Sequence, residues 1–164
     1  MSESAAQMWK TFVASGLPDA PDVETPYTAW HFGTGGAMAD ELAELVLAGR
    51  KRATAGALWS YEHEGEPIPE IGEYSVILDG SDRARCIIRT TVVEVVPFDG
   101  VSARFAATEG EGDGSLAYWR EGHWHFFARD LAEFGRAPEH DMPVVCETFE
   151  VVWPPNPSGT TPAT

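Results

Sequence analysis

The chain alternates between helical and strand patterning, with short irregular joins. In SAAQMWKTFVAS, Ser4 to Ser15, Met8, Phe12 and Ser15 fall on one helical face beside Trp9 and Val13, and Gly16 then Pro18 stop the repeat. A short helix packed by its aromatics is predicted. Leu17 to Pro26 is rich in Pro and Asp and reads as an irregular connection, ending in the aromatic cluster YTAWHFG and the turn GTGG. AMADELAELVLAGRK has the clearest helical spacing, with Leu42, Leu45 and Val46 on one face, Asp40 and Glu41 in an early turn and Gly49 at the expected C′ position. After a mixed aromatic stretch, ALWSYEHEGEPIPEIG, strands are predicted at YSVILDG and ARCIIRTTVVEVV, joined by Asp79-Gly80-Ser81-Asp82.

An acidic loop carrying Glu109, Glu111 and Asp113 precedes SLAYWREGHWHFFARDLAEFG, a long helix with Ser115 as N-cap and the stripe Trp119, His123, Phe127, Leu131. MPVVCETFEVVW forms a last strand, and the tail PPNPSGTTPAT lacks large apolar residues, so disorder is predicted there. There is no internal repeat. Two or three helices around nonadjacent strands of mixed direction imply an α+β fold, with the sheet curled into a small mixed β-barrel flanked by helices. The 164 residues, 43% of them apolar, suffice for one core. The expected division is a helix and connection over 1–26 packed on the domain, a domain over 27–153, and a tail over 154–164.

No run approaches the roughly 18 apolar residues of a membrane span, and MSESAAQMWK has neither a basic nor an apolar leader region. A cytoplasmic protein without a membrane partner is expected. Cys86 and Cys146 each lie in a β-branched apolar run, which suits buried free thiols in a reduced compartment. The net charge of −15 argues against long duplex nucleic acid, whose binding rests on many Lys and Arg contacts.

Against that charge, GRKRAT, Gly49 to Thr54, gathers three of the eleven cations. An ordinary explanation is a helix C-terminus, whose dipole favours positive charge by about 0.3–1 kcal/mol each. The chemical reading is that Lys51, flanked by Arg50 and Arg52, loses part of its proton and acts as a base toward Thr54 three residues on. Glu109 or Glu111 could supply a carboxylate, with glycines allowing close backbone approach. Tyr27, Trp30 and Phe32 offer flat surfaces on which a nucleobase would stack, although such rings more often build a core. A metal site is not expected, because His123 and His125, two apart on a helix, point about 200° apart. His123 itself reads as a satisfied core histidine. No cofactor is implied, since no nucleotide-binding glycine pattern stands between a strand and a helix.

GRKRAT resembles the G-x-K-x-x-[ET] signature of the ASCH superfamily, whose domains are similar to the PUA fold. WHFG, ADELAELVLAGRK, LWSYEHEGEPIPEIGEYSVILDG, EGEGDGSLAYWREGHWHFF and MPVVCETFEVVW also resemble the longer bacterial members, from about Trp9 to Trp153. The resemblance implies a cleft bearing the signature and a role in RNA binding. One small bacterial subgroup hydrolyses the amide of N4-acetylcytidine, and a longer member is described as a ribonuclease. By that likeness Lys51, Thr54 and a downstream glutamate, Glu111 or Glu109, would be the working residues, with Arg50, Arg52, Tyr27, Trp30 and Phe32 contacting substrate. The expected partner is a small nucleoside or a short single-stranded RNA, bound by an amidohydrolase, a ribonuclease or a module without chemistry.

Overall fold

The computed structural model describes residues 3–155, so the tail expected to be disordered lies outside the described residues from Asn156 onward. Along the chain come α1 (Glu3–Val13), β1 (Tyr27–Trp30), α2 (Gly36–Leu47), β2 (Ala53–Ala57), α3 (Leu58–Glu64), β3 (Tyr74–Leu78), β4 (Ala84–Pro97), a 3₁₀ turn (Phe98–Gly100), α4 (Ala103–Glu109), α5 (Leu116–Ala132) and β5 (Pro143–Trp153). The fold is α+β, and no helix among the described residues is long and apolar enough to cross a membrane.

The five strands form one mixed sheet in the order β1-β3-β4-β5-β2. β1 runs parallel to β3, while β3 and β4 pair antiparallel, as do β2 and β5. The strand order leaves β1 and β2 at its two ends, so the barrel is not closed. Closure requires the end strands to pair with a fixed stagger, and these two, of four and five residues, each pair on one side only among the described residues.

Packing divides the described residues into two compact units with interleaved segments: those up to 49, 72–90 and from 149 onward in one, 50–71 and 91–148 in the other. In the first, β3 is buried on both faces. Val76 and Leu78 join Trp9 and Phe12 of α1, whereas Ile77 joins Phe32, Leu42 and Val46 around α2. Trp9 stacks on Tyr27 with ring centroids 4.4 Å apart. Gly49 adopts φ 77° just after α2, the left-handed conformation that ends a helix. The expected turn also forms, with Asp79 accepting backbone N–H bonds from Ser81 and Arg83 at 2.9 and 3.0 Å.

In the second unit α5 buries Trp119, Phe127 and Leu131 against Phe98, Met142, Val144 and Cys146. Ser115 caps α5 by accepting from the Tyr118 amide at 3.1 Å, as its position predicts. Two helices here had no sequence expectation. α3 has no buried residue, so it lacks an apolar stripe; it is tied to α5 by a Ser60 to Asp130 hydrogen bond and to the turn after α5 by His63 stacked on Phe134. α4 buries only Ala106 and Glu109, which is one small residue and one charged one.

Candidate acid–base site

The second unit gathers a lysine, two glutamates and a histidine in one place, and backbone geometry does the gathering. Arg52 N donates to the Thr108 carbonyl at 2.9 Å, which holds the end of α4 against the segment leading into β2. Gly110 follows α4 with φ 70°, and a Cβ there would lie 1.9 Å from the Arg50 carbonyl oxygen. Only glycine allows both the left-handed turn and this approach. Glu109 is thereby carried over Lys51, and the chain reversal at Gly110 returns Glu111 to the same ammonium.

Lys51 is 2% exposed and Glu109 is 1% exposed, whereas Glu111 retains 20% exposure. The Lys51 ammonium donates to the Ala53 carbonyl at 2.9 Å and lies 3.5 Å from Glu109 Oε2 and 3.6 Å from Glu111 Oε2. From α5, Trp119 Nε1 donates to Glu109 Oε1 at 3.1 Å. One turn later His123 stacks on the Trp119 ring at 4.1 Å and places Nε2 3.1 Å from Glu109 Oε2 and 3.9 Å from Glu111 Oε2. Its Nδ1 is 2.9 Å from the Trp119 carbonyl.

This setting drives the two carboxyls apart. Burial by itself would raise Glu109, but the charges of Lys51 and His123 and hydrogen bonds from His123 and Glu111 more than offset it and hold the group well below the usual carboxylate range. Glu111 is pushed up to about 7, first by burial and then by its hydrogen bond to Glu109, whose negative charge adds to the rise. Burial would lower His123, yet Glu109 and Glu111 raise it above the ordinary histidine value. One carboxylate is thus fixed as an anion while its neighbour exchanges a proton near neutrality, the division of labour that acid–base catalysis uses.

The other sequence candidates fall as follows. Arg50 and Arg52 are exposed on either side of buried Lys51. Thr54 is half-buried in β2 opposite Glu147; Ala55 and Ala57 pack on the core under α5, so strand alternation assigns Thr54 to the other face of β2. Tyr27, Trp30 and Phe32 belong to the first unit, where Tyr27 stacks on Trp9 and Trp30 meets Phe32 edge to face at 4.8 Å. Phe32 is 3% exposed and part of the core around α2. His123 had no functional expectation, and its place on the apolar stripe of α5 explains why. The available signal was a titratable residue one turn from Trp119, soon after an acidic loop.

Glu109, Glu111 and His123 present ligand atoms within 4.8 Å of one another, as a metal site would. The Lys51 ammonium already faces both carboxylates at 3.5 and 3.6 Å, however, and a divalent ion there would meet it as a like charge. The donor set suits proton traffic better than metal binding.

A family model described as an ASCH domain matches residues 28–153. The fold is similar to the crystal structure of an ASCH domain from Lactobacillus crispatus, with TM-score 0.85 and 33% identity over 92% of this chain and 95% of that one. It is also similar to a protein of Enterococcus faecalis, with TM-score 0.82 and 38% identity over 93% of this chain and 90% of the other. A hypothetical protein with 14% identity and TM-score 0.52 shares the fold over 77% of this chain and 100% of its own. The curated proteins contain no match.

Proposed function

Because the chain belongs to the ASCH domain family, whose likeness directs attention to Lys51, we propose that it is a hydrolase of an N-acylated nucleoside such as N4-acetylcytidine, working at Lys51, Glu109, Glu111 and His123. The observation that carries this is Glu111: a partly exposed carboxyl, raised to about 7, against a buried Lys51–Glu109 pair. Ionised Glu111 takes the proton of the attacking oxygen as that oxygen bonds to the acyl carbon. The Lys51 ammonium stabilises the resulting oxyanion, and Glu111 returns the proton to the departing amine as the C–N bond breaks. Water is the attacking oxygen in this reading, since Thr54 lies on the other face of β2; attack by the Thr54 hydroxyl would instead leave an acyl group on the protein.

The test is chromatography of N4-acetylcytidine incubated with wild type, Lys51→Ala, Glu111→Gln and Thr54→Ala. Cytidine and acetate released by wild type, and reduced at least a hundredfold in Lys51→Ala and Glu111→Gln, is the expected result. Release undiminished in Glu111→Gln, or none from wild type between pH 6 and 9, ends the proposal. An acyl adduct on Thr54, read by mass spectrometry, identifies the nucleophile.

The exposed Arg50 and Arg52 beside buried Lys51 favour a second reading, a metal-independent ribonuclease on short single-stranded RNA. Two guanidiniums would bind flanking phosphates, and Glu111 would take the proton of a 2′-OH. Cleavage of an oligoribonucleotide, with DNA of the same sequence spared, distinguishes it. Saturable, salt-sensitive binding without turnover would instead identify a recognition module.

A further inference from the structure

We propose that His123 is a positioning residue of this site, a doubly protonated imidazolium that keeps Glu109 anionic and so keeps the mobile proton on Glu111. The inference rests on the acid–base reading above and extends it to a side chain outside the ASCH signature.

Donors and acceptors fix where the protons of this cluster sit. The Trp119 carbonyl oxygen can only accept, so the 2.9 Å contact from His123 Nδ1 puts a hydrogen on Nδ1. The other nitrogen faces Glu109 Oε2 at 3.1 Å. A neutral ring with its hydrogen on Nδ1 would point a bare lone pair at that oxygen, and the contact is favourable only with a proton between them. Glu109 is a poor holder of that proton, because it already accepts from Trp119 Nε1 and faces the Lys51 ammonium. The proton therefore belongs to Nε2, and the ring carries a charge.

The ring is held for this task. It stacks on Trp119 with the planes 13° apart, meets Phe127 edge-on, and bonds its own helix through Nδ1, so it cannot turn away from Glu109. The charged groups facing it are Glu109 from α4 and Glu111 from the following turn; the group they share with it is Lys51, ahead of β2. The cluster is then two cations, one fixed anion and Glu111. Remove the charge at position 123 and the two glutamates are left with one cation between them, so they hold their proton to higher pH.

The test is a titration by nuclear magnetic resonance without substrate, following the carboxyl carbons of Glu109 and Glu111 and the ring nitrogens of His123 from pH 4 to 9. Wild type, His123→Gln and His123→Phe are compared. We expect both ring nitrogens of wild type protonated at pH 7, and the Glu111 midpoint raised by at least one pH unit in both variants. In an active protein the ascending limb of kcat/KM should move up by the same interval, which is about a tenfold loss per unit below the midpoint. A neutral ring in wild type at pH 7 overturns the inference, and that reading needs no variant to fold. An unmoved Glu111 midpoint in folded variants overturns it as well. Shifted carboxyls in a protein that hydrolyses nothing would end the hydrolase reading and leave this one standing, whereas hydrolysis with unshifted carboxyls would do the reverse.

Discussion

Glu109→Gln tests the charge arrangement most directly, since it keeps the shape of the side chain and its bond from Trp119 while deleting the fixed anion. Lys51, 2% exposed, would then lose its buried partner. Breaking one half of a buried pair typically costs about 3–5 kcal/mol, because the other charge is left without compensation. Glu111, 3.6 Å from the same ammonium, remains and takes over part of that role, so a loss of about 2–4 kcal/mol at pH 7 is expected. For a chain of this length that corresponds to a fall of roughly 5–15 °C in Tm. The assay is urea unfolding at pH 7 followed by a calorimetric scan. A second readout separates the electrostatic cause from plain repacking: with the neighbouring negative charge gone, the Glu111 midpoint should drop from about 7 by a unit or more. A stability loss below about 1 kcal/mol, or a Glu111 midpoint that stays in place, would refute the view of Glu109 as the counterion of Lys51.

Glu111→Gln should act in the opposite direction on stability. The folded state raises this carboxyl toward 7, so ionised Glu111 weakens the fold increasingly as pH rises from its unfolded value near 4.5 through 7. The amide removes that penalty, and the variant should be more stable than wild type at pH 8 by about 1–3 kcal/mol while losing activity. Glu109 contributes with the other sign: its depressed carboxyl stabilises above the unfolded value of about 4.5, and that contribution should disappear as pH falls through the folded value, seen as a falling urea midpoint below pH 4.5. Gly110→Ala should cost more than about 2 kcal/mol, since it combines φ 70° with a Cβ 1.9 Å from the Arg50 carbonyl; thermal unfolding would show it. Burial pushes the thiols of Cys86 and Cys146 up to about 12, so a thiol reagent at pH 8 should label neither until denaturant is added.

The sequence displays the elements whose residues do one job each. Gly49 ends α2, Ser115 starts α5, and Leu131 marks the buried face of α5. It conceals those whose residues do two. α4 buries a glutamate where periodicity looks for an apolar side chain, and β1 is four residues whose partner strand begins 47 positions later, at Tyr74. Lys51 and the two glutamates were legible as candidates through the GRKRAT signature and the glycines around Glu111. His123 was not, because stacking on Trp119 and pairing with Glu109 demand the same apolar register as core packing. The open sheet was equally hidden, since strand patterning reveals that strands exist without revealing which two remain at the ends.

The interleaving of the two units has a consequence for synthesis. The first unit takes residues up to 49, returns at 72 and again at 149. Phe149 belongs to the same core cluster as Phe32 and Leu42, so that cluster is incomplete until about 100 further residues have left the ribosome. At translation rates of about 5–20 residues per second, the apolar face of α2 waits roughly 5–20 s for its last strand. During that interval the nascent chain presents an incompletely covered stripe to whatever shares its surroundings, and chaperone occupancy during elongation should peak before β5 emerges.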